Sequence, residues 1–228
     1  MKSTLFNMTA VLFTITLLAA AGVGGVQLIT EEPIARARAE ATREALLQVL
    51  PPFEGEPQVR EMSEDELPVK LYTASAAGEP VGYAVETMTK SGFNGLVRLM
   101  VGFAPTGEVL NIRVVEQAET PGLGTKMADE GNPLLRSFVG RDPGRMTLRV
   151  AKDGGDVEAL TAATISSRAY VDAVARAYRV FCRATGAEVP DAAEAVSGAT
   201  RRVDDASGAT LREDAPEADE MEKGGLNE

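Results

Sequence analysis

The sequence predicts an α+β domain carried on a single N-terminal transmembrane helix. Three features point to that class. The run Leu5 to Ile29 is almost free of charge, four short apolar and β-branched segments occupy the middle, and an amphipathic helix is expected from Ser166 to Arg183.

As a helix, Leu5 to Ile29 is long enough to cross a bilayer's hydrocarbon core. Lys2 and the α-amine precede it, and Glu31 and Glu32 follow it. The positive end stays in the cytoplasm, which places residues from about 31 onward outside. A cleaved signal peptide is the alternative, with Leu18-Ala-Ala-Ala21 as its small-residue site. The apolar run continues through Val23, Val26, Leu28 and Ile29, past the point where such a peptide stops, which favours a retained anchor. No cysteine follows the run, so a lipoprotein anchor is excluded.

Glu31 to Leu50 reads as a helix, with Ile34, Ala37, Ala41, Leu46, Leu47 and Leu50 near helical spacing and Pro51-Pro52 as its stop. It is expected to be a stalk, either solvated on all sides or in contact with another protein of a complex. Strands are expected at 69–73, 81–87, 96–101 and 109–115, with a further one at Met146 to Val150. Gly78-Glu-Pro80, Ser91-Gly92 and Pro105-Thr-Gly107 punctuate them, and Ala104 to Glu108 reads as a hairpin turn. Asn132 to Phe138 is a short helix with proline in its first turn. The long helix would bury Val171, Val174, Tyr178 and Phe181. The chain therefore divides into an anchor (1–30), a stalk (31–52), a domain (53–185) and an acidic tail (186–228). The tail's twelve acids face Arg201, Arg202, Arg212 and Lys223, and it has no aromatic residue, a composition expected to be disordered.

With 44% hydrophobic residues a packed core is possible. The chain has no histidine, which excludes imidazole bases and His-ligated metals. Cys182 stands alone, so neither an internal disulfide nor an iron–sulfur cluster held by this chain is expected. A net charge of −11 argues against nucleic acid or anionic lipid as the main partner. Any redox chemistry would come from an organic cofactor.

Two segments carry chemistry. Glu158-Ala-Leu-Thr-Ala-Ala-Thr-Ile-Ser-Ser167 places Thr164 at the mouth of the long helix, where unpaired N–H groups welcome a phosphate. The competing reading of Thr164 is an ordinary N-cap. Ala162 and Ala163 are small enough for close approach, and Ser166 and Ser167 offer further donors. Glu119-Thr-Pro-Gly-Leu-Gly124 suits a type II turn that could close over a flat ligand; the competing reading is a surface turn.

Together these segments resemble the FMN-binding domain of the RnfG and NqrC subunits of membrane redox pumps, whose motif is D-x-x-[ST]-G-A-T-x-[ST]. Glu158, Thr161, Ala163, Thr164 and Ser166 fall on its positions, and 119–124 matches the family's E-T-P-G-L-G without a break. The chain departs at Glu158, where the family usually has Asp, and at Ala162, where it usually has Gly, a change that adds a Cβ and disfavours positive φ. Gln117 stands where many members have histidine.

The resemblance implies FMN bound covalently through a phosphoester on Thr164. It implies that the amides of Ile165 and Ser166 and the Ser166 hydroxyl hold the phosphate. Glu119, Thr120, Gly122, Leu123 and Gly124 would flank the isoalloxazine. Lys152 would pair with phosphate or flavin, or else be a solvated turn lysine. Glu194 to Thr200 and Asp204 to Thr210 repeat the acid, Ser and Gly-Ala-Thr spacing in the tail. They read as coincidence, decayed duplication or extra attachment sites.

The length fits the RnfG branch better than NqrC. The implied function is an extracytoplasmic electron carrier in an ion-translocating NADH/ferredoxin oxidoreductase complex of the bacterial inner membrane, with the main domain periplasmic. Partners would be polytopic and iron–sulfur subunits and a flavin transferase for maturation, with no turnover of its own. The alternatives are an FMN domain of another membrane reductase or redox regulator, and a non-redox tethered binding module.

Overall fold

The computed structural model describes residues 2–187. The tail repeats ending at Thr200 and Thr210, and nearly all of the acidic tail, lie outside the described residues.

Helix α1 runs without a break from Lys2 to Val49, so anchor and stalk are one helix. At about 1.5 Å per residue it is roughly 70 Å long, more than twice a bilayer's hydrocarbon thickness. Among the described residues its apolar half is covered by nothing else: Phe6, Phe13, Leu18, Val26 and Ile29 are all exposed. Thr14, Thr16 and Thr30 donate their hydroxyls to the carbonyls of Ala10, Leu12 and Val26, so these polar groups are satisfied within the helix. These properties fit a membrane anchor.

Five antiparallel strands follow in simple sequence order: β1 (Gln58–Glu64), β2 (Leu67–Ala76), β3 (Glu79–Gly92), β4 (Gly95–Phe103) and β5 (Val109–Gln117). Two-residue turns join the first three strands, with Asp65, Glu66, Ala77 and Gly78 all at positive φ, as such turns require. The expected hairpin at Ala104–Glu108 is present, closed by the Ala104 amide on the Glu108 carbonyl at 2.8 Å. Two helices complete the domain: the short α2 (Pro133–Phe138), capped by the Asn132 side chain, and, after a long loop, the 22-residue α3 (Thr164–Thr185).

Strand alternation puts odd-numbered residues of β2–β4 on one face and even-numbered ones on the other. Val69, Val85, Val97, Leu99, Val101 and Phe103 form the main core with α3, whose Val171, Val174, Tyr178 and Phe181 are buried as expected. Tyr72, Ala74, Ala84 and Met100 on the opposite face receive Ala45, Leu46, Val49 and Leu50 from the end of α1. The sheet is thus covered by the anchor helix on one side and by the site-bearing helix on the other.

One expectation fails and one strand is unexpected. Met146 to Val150 is not a strand: only Val150 makes a single bridge, to Val157, because the turns at Pro143–Arg145 and Ala151–Asp153 interrupt the segment at both ends. β1 is an addition, because its exposed, charged residues lack the apolar alternation that marks a strand.

Gly102 is where α1 meets the sheet. A Cβ there would lie 2.0 Å from the Val49 carbonyl oxygen. Gly102→Ala is expected to force α1 off the sheet and to lower the unfolding free energy by about 1–3 kcal/mol, read as a lower urea midpoint of the detergent-solubilised chain. An unchanged midpoint would contradict the close approach.

Candidate functional site

At one end of the sheet, three segments enclose a cavity of about 300 Å³, open on one side. The first wall is the tip of the β3–β4 hairpin, which carries Phe93. The second is the loop after β5, contributing Thr120, Leu123 and Gly124. The third is the start of α3, from Ala162 to Ser166.

The α3 wall is built by one backbone reversal. Ala162 takes φ +59, so the chain turns sharply before the helix begins. The glycine expected at this position is replaced, yet the left-handed conformation is retained, at a steric cost of about 1–2 kcal/mol. Ala163 occupies the cap position and offers no side-chain acceptor. The amides of Thr164, Ile165 and Ser166 therefore have neither a capping side chain nor a preceding carbonyl among the described residues. Thr164 is the first helical residue, so it is not the N-cap.

The hydroxyls near this helix start differ in what they do. Ser167 Oγ donates to the Ala163 carbonyl at 2.8 Å and accepts the Leu160 amide at 2.9 Å. Ser166 Oγ donates to Glu119 Oε2 at 2.5 Å. Thr164 Oγ has no hydrogen-bond partner among the described residues, and it lines the cavity. Thr120, on the facing wall, likewise has no hydroxyl hydrogen bond among the described residues.

The 119–124 loop forms the expected turn. The Leu123 amide closes onto the Thr120 carbonyl at 3.1 Å, and Gly122 has φ +75. Gly122 itself lies outside the cavity lining. Glu119 lies behind the wall, 4% exposed, with Oε1 accepting the Asn94 amide at 3.3 Å.

Other expected residues stand elsewhere. Thr161 is exposed and outside the cavity lining. Lys152 is exposed in the 151–153 turn and also lies outside it. What reaches α3 from that turn is Asp153, which accepts Arg168 Nε at 2.7 Å and Nη2 at 2.8 Å. The guanidinium hydrogen bonds hold the Asp153 carboxyl below its ordinary range. The Ser166 hydroxyl, expected to face a phosphate, is already committed to Glu119, which leaves its amide for that role. Phe93 joins the site without a motif to announce it. Cys182 is buried at the far end of α3, and burial pushes its thiol pKa up, so it has little nucleophilic character.

An apolar cavity with free hydroxyls beside an uncapped helix start, on an α+β domain that follows a long apolar helix, defines the class as a small-molecule-binding domain with a helix terminus suited to an anionic group. Residues 92–179 match the family model of the FMN-binding domain. The chain is 36% identical over 180 residues to the G subunit of the ion-translocating oxidoreductase complex of Pseudomonas aeruginosa, covering 72% of this chain and 84% of that protein. The corresponding protein of Haemophilus influenzae is 35% identical over 161 residues, covering 67% and 78%. That of Shewanella oneidensis is 43% identical over 122 residues, covering 52% of this chain and 57% of the relative, so the match spans little more than half the length of that protein. The chain belongs to the RnfG family, the G subunits of ion-translocating oxidoreductase complexes.

Ala162 lines the cavity but is itself exposed, so replacing it removes little packing. Ala162→Gly is expected to relieve the left-handed strain and raise the unfolding free energy by about 1 kcal/mol. Chemical denaturation checks this, and a destabilised variant would show that the methyl group packs favourably.

Proposed function

We propose that this chain is the FMN-bearing electron-carrier subunit of an Rnf-type ion-translocating NADH/ferredoxin oxidoreductase complex, with FMN joined to Thr164 through a phosphoester. The observation that carries the proposal is the uncommitted Thr164 hydroxyl on the cavity wall, at a helix start whose first three amides are free.

The residues fit the group. Phe93, Leu123 and Ile165 give apolar surface for a flat ring, and the helix start gives N–H groups and partial positive charge for a phosphate. Among the described residues, no lysine or arginine lines the cavity. A free phosphate monoester carries about 1.5–2 negative charges at neutral pH. A diester carries one, which three amides and a helix dipole can offset without a cation. The lining therefore suits an attached phosphate better than a free one.

Bound FMN supplies reversible electron transfer. The chain's own residues orient it: the α3 amides hold the phosphate end, and the hairpin and the 120–124 loop bound the ring end. The open side of the cavity gives electron donors and acceptors access. Attachment keeps the flavin with its carrier on the extracytoplasmic side, the side favoured by Lys2 before the anchor and Glu31 and Glu32 after it. A flavin transferase is the maturation partner, and the polytopic and iron–sulfur subunits of the complex are the electron-transfer partners.

Intact mass and peptide mapping of the protein from its native membrane test this. One FMN on the peptide holding Thr164 is expected, lost in Thr164→Ala and kept in Thr120→Ala. FMN retained in Thr164→Ala would move the attachment elsewhere, and an unmodified wild-type chain would refute it.

A further inference from the structure

We infer that the Glu119 carboxylate is the positioning group that sets the width of the flavin site, and that Phe93, which it holds in place, is the aromatic wall for the ring. This rests on the flavin reading above.

Glu119 is poorly suited to touch the ligand. It is 4% exposed, and a carboxylate beside a phosphate would repel it. Both of its oxygens are engaged: Oε2 accepts Ser166 Oγ at 2.5 Å and Oε1 accepts the Asn94 amide at 3.3 Å. Ser166 belongs to the helix that carries Thr164, and Asn94 to the hairpin tip that carries Phe93. One side chain therefore ties the phosphate end of the cavity to its ring end.

The backbone around it is cut to fit. A Cβ on Gly92 would lie 2.5 Å from Glu119 Oε1, and one on Gly124 2.7 Å from Oε2. Neither of these glycines has positive φ, so the space, and not the conformation, demands them. Asn94 adds a second tie, its Nδ2 donating to the Ala118 carbonyl at 2.8 Å. The result is a two-residue tip, Phe93-Asn94, held between the paired Gly92 and Gly95. Phe93 is 61% exposed, the only exposed aromatic outside α1 among the described residues, and it lines the cavity. A large apolar ring left in water beside a site for a flat aromatic ligand is placed to cover that ligand.

The test has two readouts on the full-length protein. Before flavin loading, amide hydrogen exchange at Asn94 is compared between wild type, Glu119→Gln and Glu119→Ala, with Val85 and Leu99 as reports on the sheet. Exchange at Asn94 is expected to rise about tenfold in Glu119→Ala, the loss of one charged hydrogen bond, with the sheet amides unchanged. Glu119→Gln is expected to fall between, since its single carbonyl oxygen serves one donor. In the flavin-bearing fraction of the protein, Glu119→Ala and Phe93→Ala are both expected to shift the flavin midpoint potential and lower the flavin's fluorescence anisotropy. Phe93→Ala, at an exposed tip, leaves the core intact if Glu119→Ala does not fold. Unchanged Asn94 exchange, or a loaded flavin indifferent to both substitutions, would overturn the inference. A wild-type chain that takes up no flavin overturns the underlying reading instead, and with it the role of Phe93.

Discussion

The site depends on holding α3 in one register across the sheet, and charged groups do this at both ends of the helix. At its C-terminal half, the buried Arg179 bonds Glu64 at 2.8 Å and Asp65 at 2.7 Å on the β1–β2 turn. Arg176 bonds Asp172 at 3.1 Å and the Met88 carbonyl at 2.6 Å, and Thr89 donates to Asp172 at 2.8 Å. Removing one member of such a buried network leaves an uncompensated charge, at a cost of about 3–5 kcal/mol. At the N-terminal end, Ser166 and Glu119 do the corresponding work. Between them an apolar face packs on β3 and β4, so the first turn of α3 arrives at the cavity with little freedom.

That rigidity accounts for the irregular backbone just before the helix. Ala162 is left-handed and Ala163 caps without a side chain, two locally unfavourable choices made side by side. Each keeps the cavity open: a larger side chain at 162 or 163 would narrow it, and a capping hydroxyl at 163 would occupy the amides. The opposite face carries a different load. There α1 docks its last residues on Gly102 and Met100, so the anchor and the site helix are braced against the same β4 strand.

Much of this is legible in the sequence. β-branched runs broken by Gly and Pro mark β2 to β5, and periodic apolar residues mark α3. The spacing of Thr164 and of 119–124 marks two walls of the cavity. β1 is hidden because an exposed edge strand, Gln58-Val-Arg-Glu-Met-Ser-Glu64, carries charge where alternation would be. The Glu119–Ser166 bond is hidden because its partners are 47 residues apart and only the tertiary fold joins them. Phe93 does leave a signal: a phenylalanine at the tip of a Gly92–Gly95 turn, where polar residues are usual. Position in the chain does not set the direction of the 151–153 turn, so Lys152 stands exposed on it while Asp153 reaches α3.

A phosphodiester at Thr164 is tested most directly by phosphorus NMR of the loaded protein. A diester has no second ionisation, whereas a phosphate monoester titrates near pH 6. One flavin phosphorus resonance is expected, with a shift that stays constant from about pH 5 to 8, and it is expected to disappear in Thr164→Ala. A resonance that titrates near pH 6 would contradict it, leaving a flavin held at the same helix start without a covalent bond.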